Sequence, residues 1–137
     1  MQLLLPTNWD RELIPLLGGI KADIQIYGVL PTSMIGSGGS GPDILRMTAS
    51  DAEDYIGLAH SAGFRFNYLL NAPCLNNMEW NNDTHRELLQ HLEWLCEIGV
   101  DSVTVAIPYL VELIKRQFPN LKVEASTIMH ANSVARA

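Results

Sequence analysis

Apolar residues follow two alternating rhythms along this chain, short β-rich runs and longer stretches with helical spacing. Leu3-Leu4-Leu5 predicts a first short strand, and Asp10 to Leu17 a helix with Pro15 as a local irregularity. Ile24 to Leu30 reads as a second strand, stopped by Pro31, and a long loop with the glycine-rich core Gly36-Ser37-Gly38-Gly39-Ser40-Gly41-Pro42 follows. Ser50 with Glu53 three positions on has the form of a capping box, and Gly63 closes the helix it opens. Phe64 to Leu70 predicts the third strand, and an Asn-rich loop from Asn71 to Asn82 leads to a helix over Asp83 to Ile98, capped by Asn82 or Asp83. Leu88, Leu92 and Leu95, together with Leu89 and Cys96, recur there at helical spacing before Gly99. Ser102 to Ile107 is a fourth strand, and Pro108 suits the first turn of a helix with apolar Leu110, Val111, Ile114 and Phe118. Lys122 to Ser126 is a fifth strand, and Asn132 to Ala137 reads as the start of another helix.

Strands alternating with helices predict an α/β fold with parallel strands, because a parallel neighbour is reached only through a long crossover. Ile, Val and Leu in these strands suit burial on both faces. Two architectures use this unit, a small open five-stranded doubly wound sheet and a closed (β/α)8 barrel, which takes about 250 residues. The 137-residue length favours the open sheet, whereas the ending, barely a turn into a helix, favours a barrel cut short.

Composition narrows the function classes. With 47% apolar and 18% charged residues, the chain reads as a single domain over 1–137, with core enough to need no disulfide or metal. A net charge of -6 opposes a sequence-independent grip on nucleic acid. No apolar run approaches the length of a membrane span, so no membrane association is expected. Met1 to Leu5 reaches Pro6 without a basic segment, so no secretory leader is expected; with only Cys74 and Cys96, the chain is assigned to the reducing cytoplasm.

In parallel α/β folds ligands meet the residues just past the carboxyl ends of the strands. Those positions are Thr7 and Asn8, Pro31 to Met34, Asn71 to Asn77, Pro108 and Tyr109, and Ser126 to Asn132. They suggest a pocket for a small molecule or nucleotide base built from Asn71, Asn76, Asn77, Ser126, Thr127, His130 and Asn132; the competing reading is that these Asn residues cap helices and shape turns. Cys74 with His130 and Asn132 invites a nucleophile reading in which imidazole activates the thiol and Asn orients the ring. Against it, a lone Cys serves as a small apolar filler, the role assigned to Cys96 in the core.

Gly36 to Gly41 carries the letters G-x-G-x-x-G, but Pro42 follows and no helix opens there, so a flexible loop is expected rather than a dinucleotide site. His60, His85, His91 and His130 are dispersed, and no metal site is expected; His85 and His91 are assigned to solvent. Asp51, Glu53 and Asp54 read as an acidic first helical turn, and Glu93 and Glu97 as a solvated face.

Three stretches carry a family likeness: Phe66 to Asn77, Trp94 to Leu110, and Lys122 to Thr127. They resemble the collagenase-like peptidases of family U32, from about Ile24 to the end of the chain. The resemblance implies that these residues form the N-terminal half of a TIM-type barrel, truncated, whose family activity is peptide hydrolysis. It also implies a second half carrying cysteines that, in relatives acting as hydroxylases of RNA or a quinone precursor, hold an iron–sulfur cluster. No cofactor is then expected on this chain, which by itself would be inactive; the alternative to an enzyme half is a non-catalytic truncated binding or assembly module. A partner, either the rest of the barrel or a second copy in an oligomer, is expected to cover the free strand edges. The substrate is left open between a peptide, a small molecule and an RNA base.

Overall fold

The computed structural model describes residues 2–31, 33–35, 47–77 and 80–129. The glycine-rich loop, His130, Asn132 and the expected final helix lie outside them. Five strands alternate with four helices: β1 (Gln2–Pro6), α1 (Leu13–Leu17), β2 (Asp23–Gly28), α2 (Ala49–Ser61), β3 (Arg65–Leu70), α3 (Asn82–Glu97), β4 (Ser102–Val105), α4 (Pro108–Gln117) and β5 (Lys122–Ala125). A single 3-10 turn, Thr127–Met129, follows β5. All pairings are parallel, and the strand order β1-β2-β3-β4-β5 repeats the chain order.

Buried residues of all four helices join one core with one face of the sheet, as right-handed crossovers in one constant direction require. A doubly wound sheet needs a reversal of strand order, and this sheet has none. The helix-covered face is apolar and fully buried, with Ile24, Ile26, Phe66, Tyr68, Leu70, Val103 and Val105 meeting Ala52, Tyr55, Ile56, Leu88, Leu92, Leu95, Leu110 and Ile114. Because side chains alternate along a strand, Gln25, Asn67, Ser102, Thr104 and Glu124 stand on the opposite face. Both faces hold buried residues, as expected, but only the helix-covered one is apolar; on the other Gln25, Asn67 and Ser102 are buried polar side chains.

Local chemistry explains where the elements begin. The α2 capping box is Thr48 with Asp51, two residues earlier than the Ser50 and Glu53 pair. Both pairs have the required spacing, but Thr48 holds the extended backbone of a cap while Ser50 is already helical. The Thr48 side chain and backbone both hydrogen-bond the Asp51 carboxyl and hold its pKa below the usual value. Asn81, rather than Asn82 or Asp83, caps α3, its Oδ1 accepting from the backbone of Asp83 at 2.8 Å and Thr84 at 3.4 Å. The first helix is cut to Leu13–Leu17, since Pro15 lacks the N–H that would bond the carbonyl of Arg11 one turn back. Cys96 is exposed, not core: the buried stripe of α3 is Leu88, Leu92 and Leu95, and Cys96 lies beyond its edge. Partial burial, then the nearby Glu93 and Glu97, raise the pKa of its thiol.

At the amino-terminal end of the sheet, Asp101 joins three elements. Its Oδ2 accepts from the backbone N–H of Phe66 at 2.7 Å and lies 2.9 Å from His60 Nε2, at the end of α2. Gly99, at φ +83°, brings the chain there, and a Cβ on it would sit 3.3 Å from the His60 ring. Asp101→Ala strands the Phe66 N–H and is expected to cost about 1–3 kcal/mol. His60→Ala removes only a partly exposed pair, worth less than about 1 kcal/mol. Urea unfolding with an unchanged m value checks both, and equal losses would contradict the assignment of the backbone bond as the stronger.

Candidate functional site

The polar face carries a hydrogen-bonded row across β1 to β5. Gln2 Nε2 donates to Gln25 Oε1 at 2.9 Å, and Gln25 Nε2 donates to Ser102 Oγ at 2.7 Å and to Glu124 Oε1 at 2.9 Å. Thr104 Oγ1 donates to Asn67 Oδ1 at 2.8 Å, and Asn67 Nδ2 donates to Ser102 Oγ at 2.7 Å. Ser102 thus accepts from two amides, which leaves its proton for Glu124 Oε1 at 2.8 Å. Gln25, Asn67 and Ser102 are each at most 2% exposed, so this row replaces water with fixed partners.

Toward the carboxyl ends of the strands the same face opens into a cleft of about 320 Å³. Leu4, Tyr27 and Leu69 give it apolar wall, and Asn67, Asn71, Thr104, Glu124, Ser126 and Thr127 give it hydrogen-bonding groups. Ser126 is placed by its backbone N–H, which donates to the Val105 carbonyl at 2.8 Å, and its Oγ accepts from Ile128 N at 3.3 Å. Asn71 stands just past β3 with a buried Oδ1 that has no hydrogen-bond partner among the described residues.

Of the residues singled out from sequence, Asn71, Ser126 and Thr127 meet at this cleft. Asn76 and Asn77 do not line it; both are exposed in left-handed backbone, φ 52° and 62°, where Asn shapes a turn. Cys74 is exposed, its thiol 3.5 Å from Asn76 Oδ1. Its suggested partners His130 and Asn132 lie outside the described residues. Thr7 is buried, its Oγ1 accepting from the Trp9 backbone at 2.8 Å, and Pro108 opens α4.

The expectation that His85 and His91 face solvent is corrected. His85 Nδ1 lies 2.8 Å from the Tyr109 hydroxyl, and His91 is half-buried, its ring centroid 5.7 Å from Tyr68 and 5.5 Å from Trp94. Burial lowers the His91 pKa, and its Nε2 has no partner among the described residues. Among the described residues no three His, Cys, Asp or Glu side chains converge on a possible metal position. An iron–sulfur cluster takes several thiolates; Cys74, in the loop after β3, and Cys96, on α3, do not supply such a set.

Sequence reasoning missed Gln25, Asn67, Thr104 and Glu124 because it looked past the strand ends rather than within the strands. The signal was present as alternation: Asn67 between Phe66 and Tyr68, Thr104 between Val103 and Val105, and Glu124 after Val123.

Comparison with known proteins bears on the same region. The family model described as "Peptidase family U32" matches residues 45–137. An uncharacterized protease of Methanocaldococcus jannaschii is 27% identical over 121 residues, covering 85% of this chain and 34% of that protein. The solved structure of the U32 peptidase Mk0906 superposes with a TM-score of 0.75 at 22% identity, covering 99% of this chain and 53% of that one. The chain therefore spans about a third of the curated relative and about half of the solved one.

Ser102→Ala removes the acceptor of Asn67 Nδ2 and is expected to cost about 1–3 kcal/mol, read as a lowered urea midpoint. A second expectation concerns pH. The folded-state pKa of His91 lies below its ordinary 6.5, so between the two values the unfolded chain binds more protons. The His91 contribution is complete above pH 6.5 and declines as pH falls through that window. Urea midpoints measured from pH 7 downward should show this decline, and His91→Phe should flatten it; an unchanged slope would assign the decline to other groups.

Proposed function

The chain belongs to peptidase family U32, and from that premise we propose that it is the N-terminal half of a TIM-type barrel whose intact form hydrolyses peptides, with the cleft as part of the substrate site. The observation that carries this reading is the polar row on the helix-free face, which ends in a cleft at the carboxyl ends of the strands. In a closed barrel that face is the interior and that end is where ligands are handled. The order β1 to β5 without reversal agrees with closure by further βα units.

On this reading the chain binds and orients substrate, and the remaining half completes the chemistry. Asn71, Thr127 and Ser126 hydrogen-bond the substrate, while Leu4, Tyr27 and Leu69 exclude water from one side of it. β1 and β5 each have a neighbour on one side only among the described strands. The rest of the barrel covers these edges, or a second copy does so in an oligomer. Both cysteines are free thiols, in keeping with a reducing cytoplasm.

The test uses the full-length protein and a fluorogenic collagen-derived peptide. Asn71→Ala and Thr127→Val, with unchanged circular dichroism, should each lower kcat/KM by about tenfold, mainly through KM. The reading fails if both variants keep the parent kcat/KM. It also fails, in favour of a hydroxylase, if the intact protein shows visible iron–sulfur absorbance and hydrolyses no peptide.

A further inference from the structure

We propose that this cleft selects a ligand bearing a cationic nitrogen, an ammonium or a guanidinium, and that Glu124 receives it. The inference rests on the cleft being the substrate site and adds what that substrate must present.

Among the described residues lining the cleft Glu124 is the one carboxylate, and none is Lys, Arg or His. Its Oε1 is already engaged by Gln25 Nε2 and Ser102 Oγ, at 2.9 and 2.8 Å. As the row is arranged, both of its hydrogen bonds to Glu124 are donated to the carboxylate oxygen. Ser102 accepts from two amides and can only donate toward Glu124; Gln25 Oε1 is held by Gln2, and Asn67 Oδ1 by Thr104. Two donors on one oxygen fix the carboxylate in place, and no hydrogen bond among the described residues uses Oε2. Among the described residues no cation of the same face answers it either. Arg65 is taken by Asp23 at 2.6 Å, and Lys122, two residues back along β5, forms no ion pair within 4.0 Å.

Glu124 thus gives the described lining its one formal charge, a negative one, beside the Asn71 amide and the Ser126 and Thr127 hydroxyls. A ligand nitrogen with several N–H groups matches this set, whereas a carboxylate or phosphate would meet Glu124 with like charge. The net charge of -6 draws a cation in the same sense. On the peptide reading the nitrogen has two sources, a free α-amino group or a basic side chain.

The experiment titrates full-length protein with four small probes: N-acetyl-arginine N-methylamide, alanyl-alaninamide, N-acetyl-alanine N-methylamide and N-acetyl-glutamate N-methylamide. Binding is followed by the backbone amide resonances of Thr104 and Ser126. One or both cationic probes should bind at least about tenfold tighter than the neutral and anionic ones, as a charge-assisted hydrogen bond warrants, and added salt should weaken them. Preference for the first cation identifies a basic side chain, and for the second an amino terminus. Glu124→Gln should abolish the preference, whereas Ser102→Ala, which keeps the charge, should retain it. If Glu124→Gln does not fold, the salt dependence and the Ser102→Ala preference decide alone. Equal binding of a neutral or anionic probe, or a preference that survives in folded Glu124→Gln, overturns the inference and leaves the cleft reading standing. If no probe moves either resonance in folded protein, the cleft reading itself falls.

Discussion

The handedness of the βα crossover is the constraint on which this structure depends. Five parallel strands joined in chain order by right-handed connections must gather their helices on one side. Everything apolar follows the helices: Ile26, Phe66, Tyr68 and Val105 face them and are fully buried. Everything chemically versatile is left to the other side, where Gln25, Asn67, Ser102, Thr104 and Glu124 occupy the alternate positions of the same strands. Separation of stabilising and ligand-facing roles is thus a result of strand pleat and chirality before any individual residue is considered.

Within the polar face, order comes from hydrogen-bond bookkeeping. A row of neutral amides and hydroxyls could point either way, but one carboxylate at its end sets a direction, since an ionised Glu accepts and does not donate. Each member is then fixed by its neighbour, and the strands are cross-linked by side chains as well as by backbone. Such a network is rigid where the adjoining cleft needs fixed groups, and partial loss is costlier than its average bond suggests.

Much of the fold was legible. Gly63 and Gly99 end α2 and α3 with left-handed backbone, and Pro108 opens α4, because each of these conformations has a narrow choice of residue. Boundaries were less legible where two solutions have the same letters, as with Thr48-Asp51 against Ser50-Glu53. The site was half legible. Residues past the strand ends could be found by position, which located Asn71, Ser126 and Thr127. Asn76 and Asn77 share that position, but their left-handed turn directs them to solvent, and only backbone geometry tells the two uses of Asn apart. Cys96 was misjudged because a thiol at helical spacing does not reveal the width of the stripe it borders.

Sequential pairing also bears on how the chain assembles. Leu3 meets Ile24, Ile26 meets Phe66, Asn67 meets Ser102 and Val103 meets Val123, so every strand finds its neighbour across one crossover and never across the whole chain. Loop-closure entropy is then met in small instalments, which is unusual for a parallel sheet, where distant pairing is the common source of slow folding. The sheet can form unit by unit from any internal strand pair, and each growing edge is met by the segment adjacent to it in the chain.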